Sequence, residues 1–242
     1  MTMRIAIVAD IHGNLAALEA VIADLRETSP DLVLHGGDLA HGGSSPCEVV
    51  DRIRELGWRG VVGNTDEMLF APESLTEFAA TASTQFQRLF AVIGEMAAHT
   101  RAVLGEERMA WLQTWPRVLV NEPIALVHAS PASLWRSPAP EASDEELASV
   151  YASLGQPVAV YAHIHRSFVR KTEKLTVVNT GSVSLSYDGD PRPSYLLLDD
   201  DRPTIRRVEY DVEREIAALK ASGLPHAEWV ARSLRSAKFE MP

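Results

Sequence analysis

The chain has 242 residues, 46% of them hydrophobic and 23% charged, which is enough for one large globular domain with a substantial core. Its formal net charge of −10 argues against broad binding to a nucleic-acid backbone, because such binding needs clustered cations. The single cysteine excludes an intramolecular disulfide, and no apolar stretch is long enough to span a membrane, so we expect a cytoplasmic protein with no membrane partner.

The first predicted strand is an apolar run rich in β-branched residues, Ile5–Ala9, which ends in the polar sequence Asp-Ile-His-Gly-Asn. In open α/β sheets, ligands bind at the carboxyl ends of the strands. Asp10 and His12 are two residues apart, so an extended chain directs both side chains to the same side. Their oxygen and nitrogen donors suit a divalent transition metal, although a strand that simply ends in a polar turn has the same pattern.

The next segments repeat this pattern of strand and helix. Apolar residues at helical spacing predict helices over 14–25 and 46–56, and short apolar runs predict strands over 32–34 and 61–62. The second strand leads into Gly37 and Asp38, and the third leads into the sequence Gly-Asn-Thr-Asp at residues 63–66. Three such units, each with polar residues after its strand, indicate a wound α/β sheet.

The segment from about residue 71 to residue 118 departs from this pattern, because it contains few β-rich runs. Its spaced apolar and aromatic residues, among them Phe78, Phe86 and Phe90, predict amphipathic helices. We interpret the segment as a helical insertion within a single domain of residues 1–242, packed beside the sheet. Two interpretations of its aromatic residues stay open: they belong only to the core, or they lie over the edge of the sheet where a ligand would bind.

The strand pattern returns in the second half of the chain. Apolar runs predict strands over 124–127 and 158–161; His128 follows the first, and His163 and His165 follow the second. The remaining predicted elements are a helix capped by Ser143 or Asp144 and reaching 154, a hairpin over 168–170 and 175–178, strands over 194–198 and 205–210, and helices over 212–222 and 227–236. Five strands are therefore followed by a polar cluster.

These clusters contain candidate metal ligands of three residue types and no cysteine. The ligands are Asp10, His12, Asp38, Asn64, His128, His163 and His165. Such a mixed set of oxygen and nitrogen donors favours manganese, iron, nickel or zinc over a structural zinc site built from thiolates. The set is too large for one four-coordinate ion, but two divalent ions about 3.5–4 Å apart would use all of it.

The order of the motifs resembles that of the calcineurin-like metallophosphoesterase superfamily, in which Asp-x-His is followed by Gly-Asp, Gly-Asn, a lone histidine and Gly-His-x-His. The matching segments here are Asp10-Ile-His12, Gly37-Asp38, Gly63-Asn-Thr-Asp66, His128 and Ala162-His-Ile-His165. The resemblance covers most of the chain outside the insertion. It implies a four-layer sandwich of two mixed β-sheets flanked by helices.

The resemblance also implies how the ligands divide between two metal ions. One ion would be held by Asp10, His12 and His165, the other by Asn64, His128 and His163, with Asp38 bridging them. The segment 179–183 and the strand 194–198 are similar to those of smaller bacterial members related to phosphodiesterases and to diadenosine tetraphosphatases.

Two positions depart from the family pattern. Ala162 replaces the first glycine of Gly-His-x-His, a small change that we expect to leave both histidine ligands in place. Thr65 stands where many members have a histidine that protonates the leaving oxygen or holds the phosphate. Thr65 and Asn64 are candidate substrate contacts, and His41 is a candidate for the missing catalytic acid, with a plain loop histidine as the alternative. Arg136 and Arg166 are candidate phosphate contacts that no motif locates.

We therefore expect a dinuclear metal-dependent phosphoesterase, foremost a phosphodiesterase acting on a small phosphorylated substrate. In this mechanism the ions lower the pKa of a bridging water, and the resulting hydroxide attacks phosphorus. One alternative is a phosphatase acting on phosphoproteins or dinucleoside polyphosphates. Another is a non-catalytic binding scaffold on the same fold, like the metallophosphoesterase-like retromer subunit; the complete ligand set favours an enzyme, because a scaffold is free to lose ligands.

Overall fold

Two five-stranded β-sheets form the centre of the structure, a computed structural model that describes residues 3–200 and 202–242. In chain order the strands are β1 (Ile5–Val8), β2 (Leu32–His35), β3 (Arg59–Gly60), β4 (Val118–Asn121), β5 (Ile124–Val127), β6 (Val158–Tyr161), β7 (Phe168–Lys171), β8 (Thr176–Asn179), β9 (Ser194–Asp199) and β10 (Arg202–Arg207). The first sheet has the order β10-β9-β1-β2-β3, and the second has the order β4-β5-β6-β8-β7.

Each sheet combines parallel pairing among three neighbouring strands with antiparallel pairing. In the first sheet β1, β2 and β3 run parallel, while β9 and β10 run antiparallel to their neighbours. In the second sheet β5, β6 and β8 run parallel, while β4 and β7 are antiparallel edge strands. Each sheet is therefore mixed, as expected from the sequence.

Helices occupy the remaining ordered segments. They are α1 (Leu15–Thr28), α2 (Pro46–Leu56), α3 (Asn64–Phe70), α4 (Glu73–Ala80), α5 (Gln87–Leu112), α6 (Asp144–Tyr151), α7 (Val212–Ala221) and α8 (Ala227–Ser236). Local signals set several of their ends. Asn14 caps α1 by accepting a hydrogen bond from the backbone N–H of Ala17, and Gly57 ends α2 with a φ of 65°. None of the described helices is both long and apolar enough to cross a membrane.

Successive side chains along each strand point to opposite faces of the sheet, so they pack into separate layers of the core. In β1, Ile5 and Ile7 pack into the core between the two sheets, whereas Ala6 and Val8 pack against α1 and α2. The outer face of the second sheet, including Tyr161, packs against α6. Both faces of the central strands are thus covered, which explains their continuous apolar runs. The predicted four-layer sandwich of two mixed sheets flanked by helices is confirmed.

Some boundaries differ from the prediction. Strand β3 pairs with β2 only through Arg59 and Gly60, so it ends before the predicted run 61–62. Val62 instead donates its backbone N–H to the carbonyl of Pro116, 3.0 Å away. Strand β4 was not predicted; it begins at Val118, where the predicted helical segment ends, and its alternating exposure is that of an edge strand. Helix α5 is interrupted at Gly105, whose φ of 72° breaks the helical path.

Candidate metal centre

The polar residues that follow the central strands of both sheets meet at one place. Asp10 and His12 follow β1, and Asp38 follows β2 in the first sheet. His128 follows β5, and His163 and His165 follow β6 in the second sheet. Asn64, the first residue of α3, completes the group. The structure therefore brings together all seven side chains that the sequence identified as candidate ligands.

One half of the group consists of Asp10, His12 and His165, which are all buried. The Nε2 atoms of His12 and His165 lie 3.2 Å apart, and Oδ1 of Asp10 lies 3.5 Å from Nε2 of His165. The other half has Oδ1 of Asn64 at its centre, 2.8 Å from Nε2 of His128 and 2.9 Å from Nδ1 of His163. Each half thus directs three donor atoms at a common point.

The carboxylate of Asp38 lies between the two halves. Its Oδ2 atom is 3.7 Å from Nε2 of His12 and 3.5 Å from Nε2 of His128. Burial disfavours its charged form, but the neighbouring imidazoles of His128 and His12 hold the pKa of Asp38 below its ordinary value. Asp38 is therefore ionised and faces both halves at once.

These residues fit divalent cations. Ligands about 2.0–2.1 Å from a tetrahedral ion are separated from each other by ~3.4 Å. The donors of the first half, 3.2 and 3.5 Å apart, have this spacing, whereas those around Oδ1 of Asn64 are closer, at 2.8 and 2.9 Å. Oδ1 of Asp10 is buried and has no hydrogen-bond partner among the described residues. Such an atom is costly to bury unless a charge compensates it, and a cation would do so.

Backbone carbonyls orient three of the imidazoles. His12 donates its Nδ1–H to the carbonyl of His41 at 2.8 Å, and His128 donates to that of Gly36 at 2.8 Å. His165 donates to the carbonyl of Leu185 at 2.6 Å. In each ring the proton on Nδ1 leaves the Nε2 lone pair directed into the site, which is the tautomer that a metal ligand needs.

Five of the seven residues have a left-handed backbone. The φ angles of Asp10, His12, Asp38, His163 and His165 lie between 49° and 69°. Non-glycine residues adopt this region at a cost of about 1–3 kcal/mol each, and such strain clusters at functional sites. The strain shows that the surrounding structure over-determines the position of these side chains.

Asp66 supports the site, and the sequence analysis gave it no role. Its carboxylate is buried and accepts hydrogen bonds from the backbone N–H groups of Asp38 at 2.8 Å, Leu39 at 2.9 Å and Gly63 at 3.1 Å. It thereby holds the turn that carries Asp38. A local signal existed, because an acidic residue at the third position of a helix is a capping-box feature.

The segment 179–184 performs a similar task for the neighbouring turns. Ser182 donates its hydroxyl hydrogen to the carbonyl of Asp10 at 2.9 Å, and Asn179 donates its amide to the carbonyl of Ala162 at 2.6 Å. The segment thus ties the exits of β1 and β6 to each other. Ala162 is fully buried beside His163, which retains its place in the group.

Five of the candidate ligands form the floor of a cavity with a volume of about 340 Å³; they are His12, Asp38, Asn64, His163 and His165. His41 and Thr65 both line it. The Nδ1 atom of His41 is buried without a hydrogen-bond partner among the described residues, and burial lowers the pKa of this imidazole to about 3. Thr65 donates its backbone N–H to Oδ1 of Asp38 at 2.9 Å, and its buried hydroxyl has no partner in the described part of the chain.

The two arginines considered as phosphate contacts are exposed and engaged elsewhere. Arg136 donates to the hydroxyl of Thr81 at 2.7 Å. Arg166 donates to the carbonyl of Tyr187 at 3.1 Å and pairs with Glu141 at 3.3 Å. Neither side chain is part of the cavity lining.

Comparison with known proteins finds relatives that cover nearly the whole chain. The uncharacterized protein MJ0912 of Methanocaldococcus jannaschii is 28% identical over 253 residues, which cover 95% of this chain and 96% of that protein. A metallophosphoesterase structure from Sphaerobacter thermophilus has a TM-score of 0.79 at 24% identity and covers 98% of this chain and 100% of its own. The hypothetical protein PH1004 from Pyrococcus horikoshii OT3 has a TM-score of 0.81 at 20% identity, covering 96% and 97%.

The two solved structures share the fold of this chain. The family profile of the calcineurin-like phosphoesterase superfamily domain matches residues 3–202. That match includes strands β1 to β9 and every candidate ligand. The chain therefore belongs to the calcineurin-like phosphoesterase superfamily.

Proposed function

We propose that the protein is a metal-dependent phosphodiesterase with two divalent cations in its site. The observation that carries the proposal is the convergence of seven oxygen and nitrogen donors, with the ionised carboxylate of Asp38 between two groups of three. Membership in a superfamily of metal-dependent phosphoesterases supports a hydrolase.

Each cation has its own set of ligands in this proposal. Asp10, His12 and His165 hold one, and Asn64, His128 and His163 hold the other, while Asp38 is shared. Manganese, iron, nickel and zinc all accept such mixed donors. When bound, two such cations supply a water of lowered pKa and neutralise charge on phosphate oxygens.

The other residues act on the substrate or on the ligands. Asn64 and Thr65 begin a helix and line the cavity, which supports a role for their side chains in contacting a phosphate oxygen. Asp66 keeps the Asp38 turn in position. His41 is the candidate donor to the leaving oxygen, through a neutral imidazole N–H rather than an imidazolium, because burial depresses its pKa.

The substrate class follows from this weak acid function. An alkyl monoester has a poor leaving group that benefits from a positioned acid, and neither the Thr65 hydroxyl nor a neutral imidazole is a strong one. A phosphodiester carries less charge, and an aryloxide leaves without protonation. We therefore expect aryl diesters to be hydrolysed faster than simple alkyl monoesters.

A screen of metals against substrates tests the proposal. Purified protein is loaded with manganese, iron, nickel or zinc and assayed on bis(p-nitrophenyl) phosphate, alkyl monoesters, cyclic nucleotides, a dinucleoside tetraphosphate and a phosphopeptide. Diester turnover that requires bound metal is expected. Preference for the phosphopeptide or the tetraphosphate would support a phosphatase instead, and two bound ions without turnover of any substrate would support a scaffold.

His41 is tested in the same assay. We expect His41→Ala to slow hydrolysis of both the diester and the alkyl monoester, with the diester still preferred. His99→Ala, in helix α5 outside the cavity lining, serves as the control. If the wild type prefers the monoester and loses that preference in His41→Ala, the assignment of substrate class is wrong and His41 is a strong catalytic acid.

A further inference from the structure

The cavity above the candidate ligands has walls of a different character from its floor. Helices α4, α5 and α8 supply most of the walls, together with the loops that carry Trp135 and Tyr187. The wall residues used below are Phe78, Phe90, Ile93, Trp135, Tyr187 and Trp229. We call this set the apolar wall.

The aromatic rings of the apolar wall pack on each other and reach the floor. Phe78 stacks on Trp135 with 4.9 Å between ring centroids, and Phe90 meets Phe78 edge-on at 5.6 Å. Tyr187 stacks on the ligand His165 at 4.7 Å. A group esterified to a phosphate at the floor would therefore contact apolar surface immediately.

The residues of the apolar wall are not all fully buried in the hydrophobic core. Phe78, Phe90 and Ile93 are each only partly buried, whereas the rings of Tyr151 and Tyr161 under the second sheet are completely buried. The free faces of the wall residues border the cavity. A cavity of this size is at the lower end of those that enclose small organic molecules, which are typically about 300–1,000 Å³.

No lysine or arginine lines the cavity within the described ranges 3–200 and 202–242. The guanidinium of Arg136 lies 5.1 Å from the centroid of Phe78 but is bonded to Thr81 and is absent from the cavity lining. Phosphate groups are normally bound by arginine or lysine side chains or by metal ions. A second or third phosphate, beyond the one at the floor, would have no protein cation to neutralise it.

We propose that the substrate is a phosphodiester with a single phosphate, one of whose organic groups is apolar and about the size of an aryl ring. This rests on the phosphodiesterase activity proposed above. The floor takes the one phosphate, and the apolar wall takes the organic group. Dinucleoside polyphosphates are disfavoured, because no lysine or arginine among the described residues lines the cavity.

The first test compares two diesters with the same leaving group. Methyl p-nitrophenyl phosphate and phenyl p-nitrophenyl phosphate both release p-nitrophenolate, so they differ mainly in the group that is retained. Burying a ring against the apolar wall should raise kcat/KM for the phenyl ester over the methyl ester at least ~30-fold with the same metal. Equal kcat/KM values would overturn the proposal.

A pair of phenylalanine variants locates the effect. Phe78→Ala should reduce kcat/KM for the phenyl ester ~5-fold more than for the methyl ester, since it removes one face of the wall. Phe86→Ala is the matched control, because Phe86 lies in the same segment, is partly buried and is not part of the cavity lining. Equal losses on both esters in Phe78→Ala would show that the ring has a general structural role and would contradict the proposal.

Binding without turnover separates this proposal from the one on which it rests. Diphenylphosphinate and dimethylphosphinate carry one negative charge and contain no ester bond, and their affinities for the metal-loaded protein can be measured by calorimetry. We expect diphenylphosphinate to bind at least ~10-fold more tightly and to change the fluorescence of Trp135 and Trp229. If this preference is present but no diester is hydrolysed, the phosphodiesterase assignment fails; if diesters are hydrolysed without the preference, only the present proposal fails.

Discussion

The floor and the apolar wall of one cavity are built in opposite ways. The floor consists of turns after parallel strands, where five candidate ligands have left-handed backbones and three imidazoles are held by backbone carbonyls. The apolar wall consists of helices and loops whose aromatic rings pack edge-on or stacked, without hydrogen bonds to the ligands. Tyr187 links the wall to the candidate ligands: its ring stacks on His165, and its backbone N–H donates to the carbonyl of His165 at 2.9 Å.

Because of this difference, the floor and the apolar wall should tolerate amino-acid substitution to different degrees. A ligand at the floor is positioned by several directional contacts at once, so a substitution moves its donor atom or leaves a polar group unpaired. A residue of the wall contributes area and shape, and another apolar residue of similar volume can replace it at small cost. The floor should therefore determine whether reaction occurs, and the wall should determine which ester reacts.

The largest expected effect is at the residue that the two halves of the floor share. Asp38→Asn keeps the size of the side chain but removes the negative charge that faces both His12 and His128. We expect it to reduce diester hydrolysis at least ~10³-fold, because it weakens both cations, which act together. His165→Asn, at one half only, should cost less. Metal content and kcat for the two variants check this, and equal, small losses would show that Asp38 is not shared.

A smaller loss of activity is expected for Asp66, which supports a candidate ligand but is not one itself. The Asp66 carboxylate accepts hydrogen bonds from the backbone N–H groups of Asp38, Leu39 and Gly63. Asp66→Asn weakens these bonds, because it removes the negative charge and replaces one acceptor oxygen with an NH₂ group. Metal affinity and activity should fall about 10–100-fold, as is usual when the support of a ligand is removed. Asp51→Asn, which affects surface ion pairs with Arg108 and Arg54, is the control. An Asp66→Asn variant with wild-type metal affinity would show that the floor is less constrained than its hydrogen bonds indicate.

The smallest effect is expected on stability, at a link between the two regions. Glu215 of α7 is buried and accepts hydrogen bonds from the backbone N–H and the hydroxyl of Ser44, in the loop that follows His41. Helix α7 also packs against α5 and α8, which carry parts of the wall. Burial raises the pKa of Glu215 from 4.5 to about 7.

The sign of the pH dependence follows from this raised pKa. Between about pH 4.5 and pH 7 the folded protein retains a proton that the unfolded chain has lost, so the free energy of unfolding falls as the pH rises. The fall should be at most ~3 kcal/mol. Thermal unfolding from pH 5 to pH 8 measures it, and Glu215→Gln should flatten this part of the profile. An unchanged profile in that variant would mean that Glu215 does not titrate in this range.

Much of the fold was predictable because its signals are local. β-Branched runs predicted β1, β5 and β6 within one residue of their observed ends, and Asn14 and Gly57 marked helix boundaries. Strand β4 was missed, because its short apolar run over residues 118–120 directly follows a segment with a helical pattern. Strand β3 lies two residues before the run predicted for it, because its position depends on pairing with β2 and not on its own composition.

The seven candidate ligands could be predicted from the sequence alone, because each follows a strand signal within a few residues and the motifs occur in family order. The groups that orient these side chains, and the residues that form the cavity above them, depend on the tertiary structure. The carbonyl that orients His128 belongs to Gly36, 92 residues away, and the ring that stacks on His165 belongs to Tyr187. The aromatic residues of α4 and α5 had two open interpretations, core or cover, since helical periodicity shows which residues avoid water but not what they face. Contacts between distant segments resolve that choice, and they place Phe78 and Phe90 at the cavity.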